Sequence, residues 1–312
     1  MMPFPFPFTV YGANRSSAGG GGGCADGSWV VGTTGSAAVG NITSAYALEF
    51  DGVNQYVDVS DCSTDFRGLA NFSFACWYWA DSYPTTNAAS HPVLFSVGSS
   101  GDASRINFQF EGHALDWLKR GIILNMFGGS GGNMDTHGYG NHYAWIGNLN
   151  LYPLSKPAVT GQWNHMAWSY TGGESTSSEI VQVWINGIKH STTNANGEWS
   201  ASNNGNSSIS TPAYLPNTLG TTFSKSHISQ HDTGVNGYYD GKIDQLAIWN
   251  TFITETDVLN LFSGTLAPSA LSSSNQIAYW SMDDGAPNAT LADESGNDYA
   301  GTLTNMDTGS CS

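Results

Sequence analysis

Glu49 and Asp51, one residue apart on an alternating run, are the nearest this chain comes to a catalytic carboxylate pair. Glycoside hydrolysis needs two carboxylates about 5–9.5 Å apart, one on each side of the sugar bond. On a strand that often takes the form Glu-x-Asp-x-x-Glu, with the acids on one face at period two. No such run occurs, and no nucleophile elbow marks a Ser-His-Asp site. Catalysis is not expected, and a glycoside hydrolase of the glucanase type is kept only as an alternative. His227 and His231 are four apart, a spacing that shares a face only on a helix. Their segment reads as a solvated loop, as does that of His137 and His142. Sugar chemistry has more to work with. Trp117, Tyr139, His142, Tyr143 and Trp145 lie in or beside a Gly- and Asn-rich insertion (128–150), longer than a plain hairpin needs. Trp199, with Asn203 and Asn204, makes a second loop of this kind. An exposed ring beside Asn, Asp and Gly is a common carbohydrate platform. The same rings also suit a loop-borne mini-core or a subunit contact, and both roles stay open.

The composition narrows the field. Of 312 residues only 9 are Lys or Arg, against 25 Asp or Glu, so the formal net charge is −16. That balance excludes a basic nucleic-acid footprint and a polybasic membrane anchor. Charged residues are 11% of the chain, less than half of the roughly 25% usual for soluble domains. Asn, Ser, Thr and Gly stand in their place. Such a surface suits close packing against neighbours or neutral sugars, because few charges must be desolvated. No apolar run reaches the length of a membrane-spanning helix, so no membrane insertion is expected. The first residues have no basic region and read poorly as a secretory signal peptide. Cys24, Cys62, Cys76 and Cys311 show no CxxC spacing, and their three pairings or free thiols stay open.

The elements that position these residues read as short strands. Asn71–Trp79 alternates, with Phe72, Phe74, Cys76 and Tyr78 on one face and Ser73, Ala75, Trp77 and Trp79 on the other. Trp163–Tyr170 and Lys242–Trp249 read the same way. Ile180–Ile185 runs into Asn186-Gly187 and then Ile188-Lys189-His190, a strong hairpin signal. One helix is expected over 254–262, with Thr254 as N-cap, an apolar stripe of Val258, Leu259 and Phe262, and Gly264 as the stop. Residues 1–44 read as an arm. Phe4, Phe6 and Phe8 alternate with prolines in an extended conformation suited to docking on a neighbouring subunit, and Gly19–Gly23 form a hinge. The expected fold is all-β, an antiparallel jelly-roll sandwich with one short helix and extended terminal arms.

The motif order resembles a known family. Ala47-Leu48-Glu49-Phe50-Asp51-Gly52 with Tyr56-Val57 resembles the opening of a laminin-G-like, concanavalin-A-type domain of the lectin and glucanase fold. Phe72-Ser73-Phe74-Ala75-Cys76-Trp77, Trp163-Asn164-His165-Met166-Ala167, Val183-Trp184-Ile185-Asn186-Gly187 and Gly241–Trp249 follow in that family's order, over roughly 45–265. The tail, 266–312, carries Tyr279-Trp280 and Asp293-Glu294-Ser295-Gly296-Asn297, which resemble a segment usually placed before the first strand. It is expected either to close the sandwich or to contact a neighbour. The resemblance implies one structural calcium ion, carried by Asp51 and Asp244 with Asp240 and Gly52 as helpers. It also implies a non-enzymatic structural or adhesive subunit, of the kind found outside phage or virus particles. Such a subunit would form homo-oligomers, bind host glycans and sit on a virion or extracellular surface. The alternative from another class is a free extracellular lectin-like module.

Overall fold

A computed structural model of the chain describes residues 29–31, 35–37, 40–42, 44–81, 92–98, 105–111, 121–127, 142–146, 160–172, 181–190, 219–231 and 237–307. Its strands, in chain order, begin with β1 (Trp29–Val31), β2 (Gly35–Ala37), β3 (Gly40–Ile42), β4 (Tyr46–Asp51), β5 (Tyr56–Asp58) and β6 (Asn71–Ala80). There follow β7 (Val93–Gly98), β8 (Arg105–Glu111), β9 (Gly121–Phe127), β10 (His142–Ile146), β11 (Trp163–Thr171) and β12 (Val181–Ile185). The last are β13 (Ile188–His190), β14 (Lys225–Ile228), β15 (Asp240–Trp249), β16 (Gln276–Trp280), β17 (Thr290–Leu291) and β18 (Gly301–Thr304). Two eight-stranded sheets result. The first runs β1-β4-β15-β6-β11-β12-β13, with β16 also on β15, and the second runs β10-β9-β8-β7-β14-β5-β18-β17. Every pairing in them is antiparallel. The fold is an all-β antiparallel sandwich, as its alternating runs and turn-rich composition require.

The alternation in β6 sorts its side chains between two layers. Phe72, Phe74, Cys76 and Tyr78 join the core between the sheets, with Phe95, Phe108, Trp168 and Trp280. Phe74 stacks on Phe108 with ring centroids 4.1 Å apart. Ala75 faces the other way, into a second cluster with Trp184, Trp249, Val258 and Leu261. That cluster is roofed by α1 (Glu255–Phe262), the one α-helix among the described residues. Thr254 caps it in a capping box with Asp257. The buried stripe differs from the expected one: Val258 and Leu261 face the sheet, while Leu259 is 44% exposed. The buried hydroxyls of Ser73 and Ser169 donate to the carbonyls of Thr251 and Ile253, which ties the chain leading into α1 onto the sheet. The first sheet is therefore covered on both faces.

Pairing begins inside 1–44, since β1 is hydrogen-bonded to β4, and 266–312 supplies strands to both sheets. Phe4, Phe6 and Phe8 lie outside the described residues. So do Cys24 and Cys311, whereas Cys62 and Cys76 are buried free thiols.

Candidate functional site

The outer face of the second sheet carries the chemistry. Residues directly opposite one another in an antiparallel ladder share a face, so the register can be followed strand by strand. It aligns Tyr143 with Asn125, Asn125 with Asn107, and Asn107 with Ser96. It continues from Ser96 to His227, then to Asp58, Thr302 and Thr290. One polar or phenolic residue from each of the eight strands thus forms a single row across the sheet. The neighbours on each side of the row point into the core, among them Ile106, Phe108, Val97, Ile228 and Val57.

The centre of this row is buried and hydrogen-bonded. The Ser96 hydroxyl donates to the Gln230 carbonyl at 2.7 Å, and the Asn107 amide nitrogen lies 3.0 Å from His231 Nε2. Gln230 Nε2 donates to the Tyr238 hydroxyl at 3.0 Å. Gln109, two residues along β8 on the same face, is 2% exposed, and its Oε1 has no hydrogen-bond partner among the described residues. At the margin the row opens. Tyr56 meets His227 edge-on at 5.4 Å and lies 6.5 Å from Tyr238. Tyr56, Asp58 and Tyr238 are half-buried and Thr302 is exposed. This margin combines ring faces, a carboxylate and hydroxyls, the groups that hold a sugar by stacking and hydrogen bonds.

Of the residues expected to bind carbohydrate, Tyr143 and Trp145 fall on β10 at register positions of this face, Trp145 in the row of Gln109. His142, adjacent in sequence, falls on the opposite face. Trp117, Tyr139 and Trp199 lie outside the described residues. The expected loop at 227–232 is a correction: His227 sits on β14 between β7 and β5 and is only 6% exposed. Its spacing to His231 was a signal, but a helical reading of that spacing hid the strand. Tyr238 carried no signal beyond its residue type, and Tyr56 was legible only as part of the motif that opens the fold.

Of the acids expected at a metal, Asp51 holds a turn. Asp51 Oδ1 accepts the backbone amides of Val53 and Asn54 at 2.8 and 3.2 Å, which fixes the turn after β4. Asp240 stands opposite Asp51 in the ladder, and a Cβ on Gly52 would come within 2.9 Å of Asp240 Cβ. Asp244 is fully buried on the first sheet, opposite Trp77. No group of three or more His, Cys, Asp or Glu able to hold a metal occurs among the described residues. Glu49, the other half of the candidate catalytic pair, is 3.0 Å from Lys242 Nζ. His165, buried between Trp77 and Phe262, is held neutral by burial, its pKa pushed down to about 3.

No protein-family model and no curated protein sequence matches the chain. Solved structures do resemble it. A candidate carbohydrate-binding protein from Bacteroides ovatus is 16% identical with a TM-score of 0.45, covering 83% of this chain and 58% of its own. Tailspike protein 2 of an Escherichia coli O157:H7 bacteriophage is 15% identical with a TM-score of 0.46, over 78% of this chain and 27% of the tailspike. The CBM40 domain of a Ruminococcus gnavus IT-sialidase is 12% identical with a TM-score of 0.44, over 71% of this chain and all of that domain. The chain thus spans little more than half of the first of these proteins and about a quarter of the second.

Proposed function

We propose that this chain is a non-catalytic adhesive module that binds glycans on the outer face of its second sheet. The observation that carries this reading is the polar row across all eight strands, opening at Tyr56, Asp58, Tyr238 and Thr302. Hydroxyls, amides and phenol rings match the alternating polar and apolar faces of a pyranose. The two acids that could have formed a catalytic pair are turned to an ion pair and a turn. The laminin-G-like motif order supports the same reading, and with it a place on the exterior of a phage or other particle, docked through Phe4, Phe6 and Phe8 as a homo-oligomer. Binding of the full chain to an oligosaccharide array tests the glycan site. Tyr56→Ala and Tyr238→Ala are expected to lose most of that binding while melting as the parent does. An array that stays silent, or binding that both variants retain, overturns it.

A further inference from the structure

At the open margin of the row one acceptor is fixed in place and only half used. Asp58 on β5 stands opposite His227 on β14 and opposite Thr302 on β18, with Thr290 of β17 beyond. These four strands lie wholly within the described residues. Val57 and Val59, on either side of Asp58, are buried in the core, so alternation turns Asp58 outward. Its Oδ1 accepts the Ser60 amide at 2.9 Å, which orients the carboxylate. Its Oδ2 makes no hydrogen bond or ion pair with any described residue. Lys225, diagonal to it on β14, is exposed and forms no ion pair with it. Thr302 and Thr290 are exposed. Tyr56, two residues before Asp58 on the same face, meets His227 at 83° with 5.4 Å between ring centroids. A ring, a held carboxylate with an open oxygen and two exposed hydroxyls therefore meet at one place.

We infer that Asp58 accepts two neighbouring hydroxyls of a pyranose stacked on Tyr56, so that the ligand is a neutral sugar with a free vicinal diol. This rests on the glycan reading of the same face. A carboxylate takes two O–H donors at once, and hydroxyls on adjacent ring carbons supply them side by side. An ionised acceptor makes such bonds about twice as strong as a neutral one. Because Ser60 already holds the carboxylate, little freedom is lost when a sugar arrives. The same carboxylate, in a chain of net charge −16, opposes a sugar that carries an acid. The full chain is tested on an array that presents the same oligosaccharide backbones unaltered, with one ring hydroxyl at a time replaced by hydrogen, and oxidised at C6 to the carboxylate. Weaker binding is expected for removal at two adjacent positions, each by roughly 10- to 100-fold, the range for one hydrogen bond to a charged group. The carboxylated form is expected to bind no more tightly than its neutral parent. Asp58→Asn keeps the shape and removes the charge; it is expected to melt as the parent does, to bind the unaltered sugar roughly 10-fold more weakly and to shrink both losses. The deoxy series is read on the unaltered chain, so it stands whatever Asp58→Asn does to folding. No pair of adjacent losses, tighter binding of the carboxylated form, or parental binding by Asp58→Asn overturns the diol seat, and the glycan site stands as long as Tyr56→Ala and Tyr238→Ala lose binding. Silence on every form removes both.

Discussion

Asp244 shows how a residue's surroundings set its chemistry. Its place on a strand and its acidity were legible, and the motif resemblance implied a calcium ligand there. Its burial was not legible, because it depends on how β15 is shared. Residues 240–243 of that strand pair with β4 and residues 246–249 with β16, on the same side. Asp244 stands at the seam between them, beside a bulge where Gln245 takes a φ of +48°. Among the described residues, neither carboxyl oxygen has a hydrogen bond of good geometry. Burial pushes its pKa well above the usual carboxylate range, the Ser44 hydroxyl partly offsets this, and the charge of Asp283 adds to it. The unfolded chain loses this proton at ordinary acid pH while the folded chain holds it. Stability is therefore fullest below the unfolded pKa and falls as pH rises toward the folded one. Asp244→Asn is expected to melt like the parent near pH 3 and about 1–2 °C higher at pH 7, a gain on the order of 1 kcal/mol. Equal melting points at pH 7 would show that the carboxyl finds a partner there.

At the scale of elements, the β12–β13 hairpin and α1 depend on each other. Asn186 and Gly187 take φ values of 52° and 74°, the left-handed turn that Asn-Gly predicts. Gly187 has a second reason to be glycine, since an added Cβ would lie 2.7 Å from the Phe262 ring. Gly187→Ala is expected to cost about 2–3 kcal/mol, through backbone strain and displacement of the helix end. Thr254→Ala, which removes only the cap, is expected to cost about 1 kcal/mol. Chemical denaturation of both variants checks the order, and a reversed ranking would mean that the turn does not brace α1. Both elements were legible because their signals are local: a dipeptide between alternating runs, and a cap three residues before its acid. β14 was not. Its core-facing positions in Lys225–Ile228 are Ser226 and Ile228, so the alternation of polarity that marks a strand is half missing. The candidate site inherits that blindness, because its row is assembled by register between strands far apart in sequence. No spacing within one segment records it.

The whole molecule is held by pairings between its two ends. Asp283 Oδ1 accepts the Ser44 hydroxyl at 2.8 Å and the amides of Ala45 and Tyr46 at 2.7 and 3.0 Å. β18 completes the second sheet against β5, and Asn305 Nδ2 donates to the Asn54 carbonyl at 3.0 Å. Trp280 fills the core between the sheets. Deleting residues 276–312 is expected to abolish cooperative unfolding, because each sheet loses strands and buried rings lose their cover. Deleting residues 1–28 is expected to preserve the melting transition but to reduce self-association in sedimentation. Cooperative melting after the first deletion, or unchanged association after the second, would contradict these roles for the tail and the arm.

The contact between Asn54 and Asn305 spans 251 positions, and that between Ser44 and Asp283 spans 239. A ribosome delivers residues in order, so β4 and β5 leave it long before the strands that complete their seam and their sheet exist. Until then the phenylalanines of β6 and the edge of β5 have no final partners, and chain of this kind is prone to wrong pairing. The sandwich can close only after residues 276–304 have emerged, which makes those strands the step that commits the nascent chain to its fold.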